Sequence, residues 1–158
     1  MIAIKTILLP TDGSECSGKA LAYALAFAQQ FRARVVALHV MDQGWADQTR
    51  RSFGEVRPNV FREAQARREE EARGIVEAVA DAGTRLGVAV ETRIVTGTPA
   101  EQIVRLAKEL PVDLLIMGTH GRTGISQIFL GSVAEKIVRR APCPVLTVRP
   151  KEHDFVVP

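Results

Sequence analysis

The stretch IKTILLPTDGSECSGKALAYALAFAQQFRARVVALHV, residues 4–40, decides the fold class. Its first part, Ile4 to Leu9, is continuous and aliphatic, the pattern of a strand buried on both faces. Gly13 and Ser14 punctuate it. Leu21, Ala24, Leu25 and Ala28 then recur at helical spacing and predict a helix over residues 15–31. Arg34 to Val40 reads again as a strand. Strand, helix and strand in that order form the unit from which parallel sheets are built, with a right-handed crossover.

The alternation continues to the end of the chain. Val88 to Val95 predicts a third strand, and its period-2 pattern (Val88, Val90, Thr92, Ile94) suits an edge or half-covered position. Thr98 is placed to cap a helix reaching Glu109, with Pro99 where a missing N–H costs nothing and Glu101 completing a capping box. Val112 to Met117 predicts a buried fourth strand, Gly118 to Leu130 a glycine-bearing loop, Ser132 to Arg140 a short helix, and Pro144 to Val148 a fifth strand. Residues 42–60 show no period and read as a long loop. Asn59 is expected to cap the helix that follows, over 60–86, with Ala72, Ile75, Val76 and Val79 as its buried stripe. Arg67 to Glu71 belongs on its solvated side, with Arg67 paired to Glu71. The expectation is an α/β protein: an open, doubly wound, parallel five-stranded sheet with helices on both faces. It forms one domain over residues 1–150, followed by a frayed tail over 151–158.

Composition excludes several function classes. A chain of 158 residues, 46% hydrophobic and 25% charged, buries its own core without disulfides or metal. Twenty-one basic against eighteen acidic residues leave +3, too little to imply a nucleic-acid partner. Cys16 and Cys143 form no paired motif, and with histidines only at 39, 120 and 153 there is no zinc or redox spacing. Both thiols read as packing residues in a reducing cytosol. The N-terminus lacks the pattern of a signal peptide, and no run approaches the ~18 apolar residues of a membrane span. A soluble, cytoplasmic protein is expected.

In an open sheet of this kind, ligands bind beyond the carboxyl ends of the strands, where the strand order reverses. Those ends read Pro10-Thr11-Asp12, Val40 and Met117-Gly118. After the fourth strand comes Gly118-x2-Gly121-x9-Gly131-Ser132, with Arg122 inside it. Glycines let backbone N–H groups approach an anion without a Cβ in the way. Ser132 opens a helix whose free N–H groups and dipole favour negative charge, and Arg122 adds a cation. Neither a Walker loop nor a dinucleotide fingerprint is present. Each residue also has a structural reading. Ser132 to Glu135 forms a capping box, and Asp12 with Glu15 caps the first helix. His39 is a core histidine, His120 an exposed loop histidine, Trp45 either a partner anchor or local packing, and Cys143 a rigid entry to an edge strand.

Taken together, the spaced glycine motif, Pro10-Thr11-Asp12-Gly13-Ser14 and the closing Pro142-Cys-Pro144-Val145-Leu-Thr-Val148 resemble the universal stress proteins over roughly residues 2–150. The resemblance implies strand order 3-2-1-4-5 and the ATP-binding branch of that family. It implies that Pro10, Thr11 and Asp12 line the adenine and ribose side, that Val40 contacts adenine, and that Met117 and Gly118 floor the nucleotide. Gly121, Arg122, Gly131, Ser132 and Val133 would hold phosphates and ribose, with Mg2+ riding on the phosphates. A regulatory protein acting on a protein partner is expected, with slow hydrolysis or none, because the sequence supplies no obvious general base and no second carboxylate near the glycine loop. A homodimer through the fifth strand (Val145, Leu146, Val148) is expected, alone or as the unit of a larger assembly. ATP, ADP, AMP and cyclic AMP remain open as occupants. An adenylating or other nucleotide-dependent enzyme is the alternative, although the phosphate loop of adenylating relatives is replaced here by TDGSEC at 11–16. A nucleotide-free interaction module is the third reading. Residues 42–60 depart from the family pattern.

Overall fold

The protein is described here from a computed structural model that covers residues 1–54, 57–121 and 130–151. The 151–158 tail expected to fray lies, apart from Lys151, outside the described residues. Five strands, β1 (Thr6–Pro10), β2 (Arg34–Asp42), β3 (Val90–Gly97), β4 (Leu114–Gly118) and β5 (Val145–Val148), form one sheet in the order β3-β2-β1-β4-β5. Every neighbouring pair is parallel. Five α-helices connect them: α1 (Glu15–Phe31), α2 (Gln43–Thr49), α3 (Pro58–Arg85), α4 (Pro99–Glu109) and α5 (Ser132–Arg140).

The alternation of side chains across the sheet sorts the core into two layers. Ile7, Leu9, Val35, Ala37 and Ile116 face α1 and α3 through Ala20, Ala24, Leu25, Ala28 and Val79. Leu8, Val36, Leu38, Leu115 and Met117 face α4 and α5 through Ala100, Ile103, Val104, Ala134 and Ile137. The central strands are covered on both faces, which is why they read as unbroken aliphatic runs. β3, an edge strand, keeps only a half-buried pattern.

Several local expectations are corrected. The first helix is capped by Ser14, whose Oγ accepts from the Ser17 N–H at 3.2 Å; Asp12 instead closes the preceding turn, its Oδ1 accepting from the Ser14 N–H at 2.9 Å. Gly13 stands at φ 76°, a conformation that only glycine adopts without strain. The α5 cap is Gly131, with Ser132 as the first helical residue, so no Ser132 capping box forms. Thr98 does sit at the α4 N-cap with Pro99 behind it, but its side chain makes no capping bond. The α3 helix starts at Pro58, not after Asn59, because Pro58 in the first turn needs no donor. On the exposed face of α3, Arg73 pairs with Glu70 at 2.8 Å, and the bond raises the Arg73 pKa.

The largest correction concerns residues 42–60. In place of a loop, Asp42 caps α2 by accepting from the Gly44 N–H at 2.8 Å, and a π-helical segment, Arg50–Gly54, follows. α3 has 28 residues and is therefore about 42 Å long, against about 30 Å for the nine residues of β2. Its buried residues begin only at Ala72. Because α3 runs antiparallel to the strands, residues 58–71 project past the carboxyl edge of the sheet. The Arg50 guanidinium lies 5.6 Å from the Phe61 ring and that of Arg68 4.1 Å from the Trp45 ring, tying α2 and the π-helical segment to this overhang.

Both thiols have packing roles. Cys16 is buried and its Sγ donates to the Val148 carbonyl at 3.2 Å. At half-buried Cys143, burial pushes the thiol pKa up, the Asp113 charge adds to this, and a backbone hydrogen bond at Leu115 opposes both. The edge strand β5 also departs from expectation in one respect: Val148 is only 1% exposed in the chain itself, so its side chain has nothing left to bury in a dimer.

Stability should follow this division between core and overhang. Leu115→Ala, at a fully buried position in the central layer, should cost about 2–5 kcal/mol in denaturant unfolding. Val60→Ala, exposed on the overhang, should change stability by less than ~0.5 kcal/mol. Equal losses at the two positions would contradict the assignment of residues 58–71 to a segment outside the core.

Candidate functional site

The cleft at the carboxyl edge exists because β1 ends before its neighbours do. Hydrogen-bonding direction alternates along each strand. The Thr6 carbonyl accepts from Asp113, so Thr6, Leu8 and Pro10 turn their backbone groups toward β4. Pro10 has no N–H to offer there, and pairing of β1 with β4 runs only from Ile7↔Leu114 to Leu8↔Leu115. On the other side, β1 pairs with β2 as far as Pro10↔Leu38, while β2 continues along β3 to Asp42↔Gly97. The chain leaves β1 through one further bond, Thr11 N–H to the Leu38 carbonyl at 2.9 Å. A crevice opens between β2 and β4, at the switch point of the strand order.

The same alternation fixes what the β2 wall presents. Arg34 donates to the Lys5 carbonyl and Val35 to the Ala89 carbonyl, so even-numbered residues of β2 face β1 and odd-numbered ones face β3. The backbone N–H and C=O of Val40 therefore point to the side that β1 has vacated. One donor and one acceptor face the cleft side by side. His39 is 9% exposed, as expected of a core histidine, and its Nδ1 lies 2.8 Å from the Thr11 carbonyl. A carbonyl only accepts, so Nδ1 carries the proton, and His39 braces the end of β1 against β2.

Across the crevice, β4 and α5 are brought together by glycines. A Cβ on Gly118 would lie 2.8 Å from the Cys16 Sγ, one on Gly121 2.7 Å from Asp12 Oδ2, and one on Gly131 2.7 Å from the Thr119 carbonyl. None of the three has a positive φ, so their requirement is close approach and not backbone conformation. The Gly131 N–H donates to that Thr119 carbonyl at 2.9 Å, and the Thr119 N–H donates to the Val148 carbonyl at 2.9 Å. These bonds set the first turn of α5 beside the end of β4, with its free N–H groups toward the cleft.

The cleft encloses about 530 Å³. Pro10, Thr11, Asp12, Val40, Met117, Gly118, Gly121, Gly131, Ser132 and Val133 all line it. Arg122 lies outside the described residues. His120, expected as an exposed loop histidine, lines the cleft too. Its Nδ1 lies 2.9 Å from the Thr119 Oγ1, and its Nε2 is buried without a partner among the described residues. Leu38, Pro99 and Ile103 add an apolar wall on the β2 side. Asp42, Arg68 and Glu71, from β2 and the α3 overhang, complete the rim. Sequence reading missed these last three: Arg68 and Glu71 belong to a charged helical run, Arg67 to Glu71, that carries the same signal as a solvated face, and Asp42 opens a segment that shows no period. Among the described residues no group of three or more His, Cys, Asp or Glu side chains is arranged to hold a metal ion, and no helix is long and apolar enough to cross a membrane.

Comparison with known proteins places this geometry in context. The model of the universal stress protein family matches residues 3–149. A universal stress protein of Methanocaldococcus jannaschii is 36% identical over 157 aligned positions, covering 94% of this chain and 85% of that one. The solved structure of a second such protein from the same archaeon superposes with a TM-score of 0.81 at 34% identity, covering 96% of this chain and 100% of that one. A universal stress protein solved in complex with cAMP superposes with a TM-score of 0.67 at 26% identity, covering 94% of this chain and 99% of that one.

The glycines differ in what an added methyl would displace. At Gly131 the obstacle is a backbone carbonyl that holds the end of β4; at Gly121 it is the tip of a side chain that can rotate. Gly131→Ala should therefore cost about 1–3 kcal/mol in thermal unfolding and Gly121→Ala less than ~1. The reverse order would show that the contact between Thr119 and Gly131 does not fix α5.

Proposed function

The chain belongs to the universal stress protein family, and from that premise we propose that it is a regulatory protein that binds ATP in the crevice between β2 and β4. The observation that carries the reading is the vacated edge at Val40, opposite a glycine-built helix start. Adenine offers an acceptor at N1 beside a donor at N6, the complement of a strand's N–H and C=O. Leu38, Pro99 and Ile103 supply the apolar wall for the base. Gly121, Gly131, Ser132 and Val133 would receive the phosphates through backbone N–H groups and the α5 dipole. Pro10, Thr11 and Asp12 lie between these ends, at the ribose, with Met117 and Gly118 as the floor. The family member bound to cAMP supports an adenine nucleotide as the ligand class.

Mg2+ fits as a companion of the phosphates. Asp12, Asp42 and Glu71 set three carboxylates against the one guanidinium of Arg68 on the described lining. A triphosphate entering such a rim gains from a divalent ion of its own, held by phosphate oxygens and water. Nothing in the reading requires turnover: binding and release of the nucleotide are the events to which a partner would respond.

Base selectivity tests the proposal. Guanine presents O6 and N1–H where adenine presents N6–H2 and N1, so both bonds to Val40 would meet like groups. At ~1–3 kcal/mol for each of the two buried mispaired groups, about 2–6 kcal/mol in all, GTP should bind at least about thirtyfold more weakly than ATP in calorimetric titration. Equal affinities would remove Val40 from base recognition, and no binding of any adenine nucleotide would overturn the function.

A homodimer through β5 is part of the same proposal. Pro144 and Val148 direct their carbonyls to β4, accepting from Leu115 and Thr119, so Val145 and Thr147 turn their backbone groups to the open edge. An edge that has no partner strand among the described residues is one that a second copy would complete about a two-fold axis. Thr147→Pro removes a donor from the open edge and leaves the β4 ladder intact, whereas Leu146→Pro would damage the ladder itself. Thr147→Pro should sediment as a monomer at concentrations where the unmodified chain is a dimer or its multiple. A dimeric variant would move the interface elsewhere.

A further inference from the structure

The rim contains a cation that the glycine motif does not account for. Arg68 lies on the α3 overhang, lines the cleft, and stacks its guanidinium 4.1 Å from the ring centre of Trp45 on α2. Trp45 is the only tryptophan of the chain. α2 leaves directly from the end of β2, and α3 packs on β2 and β3. Arg68 therefore stands at the β2 end of the cleft. The glycines and the α5 N-terminus lie across β1, on the β4 side, about 10 Å away at ordinary strand spacing.

Two features of that end decide what Arg68 meets. Asp42 and Glu71 line the cleft on the same rim, so the local charge does not favour a polyanion. Leu38, Val40, Pro99 and Ile103 form the adjoining wall, so the pocket there takes a flat, weakly polar group. A guanidinium is planar and weakly hydrated, and stacks on aromatic faces from either side. One of its faces is already occupied by Trp45.

On the reading that the cleft takes an adenine nucleotide, we propose that Arg68 contacts the base and not the phosphates. Its free face stacks on the adenine, making a sandwich of Trp45, Arg68 and base. The α2–α3 overhang is then the element that registers occupancy, and Trp45 is its reporter. A nucleotide-dependent change is carried to an exposed helical surface by one side chain.

The test uses the full chain, titrated with ATP, adenosine and inorganic tripolyphosphate. Trp45 emission is excited at the red edge of its absorption, away from adenine, with calorimetry in parallel. ATP and adenosine should shift the emission, and tripolyphosphate should leave it unchanged. Arg68→Ala should weaken ATP and adenosine by the same factor, about 3- to 30-fold, and abolish the emission change. Arg68→Lys keeps the charge without the planar face and should behave like Arg68→Ala. Far-UV circular dichroism and melting confirm that each variant is folded; since residues 58–71 lie outside the core, they should be. If ATP binds but Arg68→Ala or Arg68→Lys retains full affinity, or if tripolyphosphate alone moves the emission, the base contact is wrong while the nucleotide site stands. If no adenine nucleotide binds the unmodified chain, the proposal falls together with the nucleotide reading.

Discussion

The constraint on which the carboxyl edge depends is the end of β1. Pro10 turns a nitrogen without hydrogen toward β4, and Gly13, at φ 76°, turns the chain out of the sheet immediately afterwards. Had β1 continued, its backbone would fill the gap between β2 and β4 and satisfy Val40. Because it stops, the strands on either side reach past its end, and the groups that sheet pairing would have consumed face a cavity. A cleft arises here from a ladder left incomplete at one strand, within a sheet whose hydrophobic layers are otherwise continuous. The layers are what hold the gap open: Leu8 and Leu9, both fully buried, anchor β1 just before it ends.

The glycines act on the opposite wall by a different physical route. Their positions suggest room left for a ligand, yet the atoms nearest to an added Cβ belong to the protein itself. Gly118 lets β4 lie against the first turn of α1 at Cys16, and Gly131 lets α5 start against the Thr119 carbonyl. Close approach of backbone to backbone comes first, and the cleft is what remains. A glycine spacing that looks like a phosphate signature is thus equally a packing signature, and in this fold the two requirements coincide because the helix start must be brought to the strand end before its N–H groups can face an anion.

Much of this was legible in residue pattern. Continuous aliphatic runs marked β1, β2 and β4 because both of their faces are covered, and the alternation in β3 marked an edge because one face is not. Pro10 to Asp12, Val40, Met117 and Gly118 were found from strand ends, Gly131 and Ser132 from the glycine spacing and Val133 from the family resemblance, and they do line one cleft. What pattern could not give was the 42–60 segment. Its helices bury no apolar stripe of their own, since no residue of α2 is buried, so helical periodicity is absent although helical hydrogen bonding is present. Caps were misassigned by a residue or two for a related reason. Asp12 and Ser14 can both accept from nearby N–H groups, and only the geometry of the Gly13 turn decides which one faces α1. Arg68, Glu71 and Asp42 stayed hidden because a charged rim and a charged surface have the same composition.

That hidden rim is built differently from the rest of the cleft. The sheet and its two apolar layers are common property of the family, and they fix the position of the strand ends within narrow limits. The overhang of α3 is not part of that packing: none of its residues before Ala72 is fully buried, although Phe61, Ala64 and Arg68 are half-buried, and two stacks of a guanidinium on an aromatic ring join it to the helical segments before it. Contacts of that kind contribute about 0.5–1 kcal/mol each at exposed sites, small against the stability of the core. Loss of either stack would therefore cost the fold little, and Arg68 and Glu71 bring the overhang to the rim of the cleft. The contrast follows from these magnitudes: the apolar layers fix the strand ends that form one wall of the cleft, whereas the helical extension that adds Arg68 and Glu71 to its rim lies outside those layers.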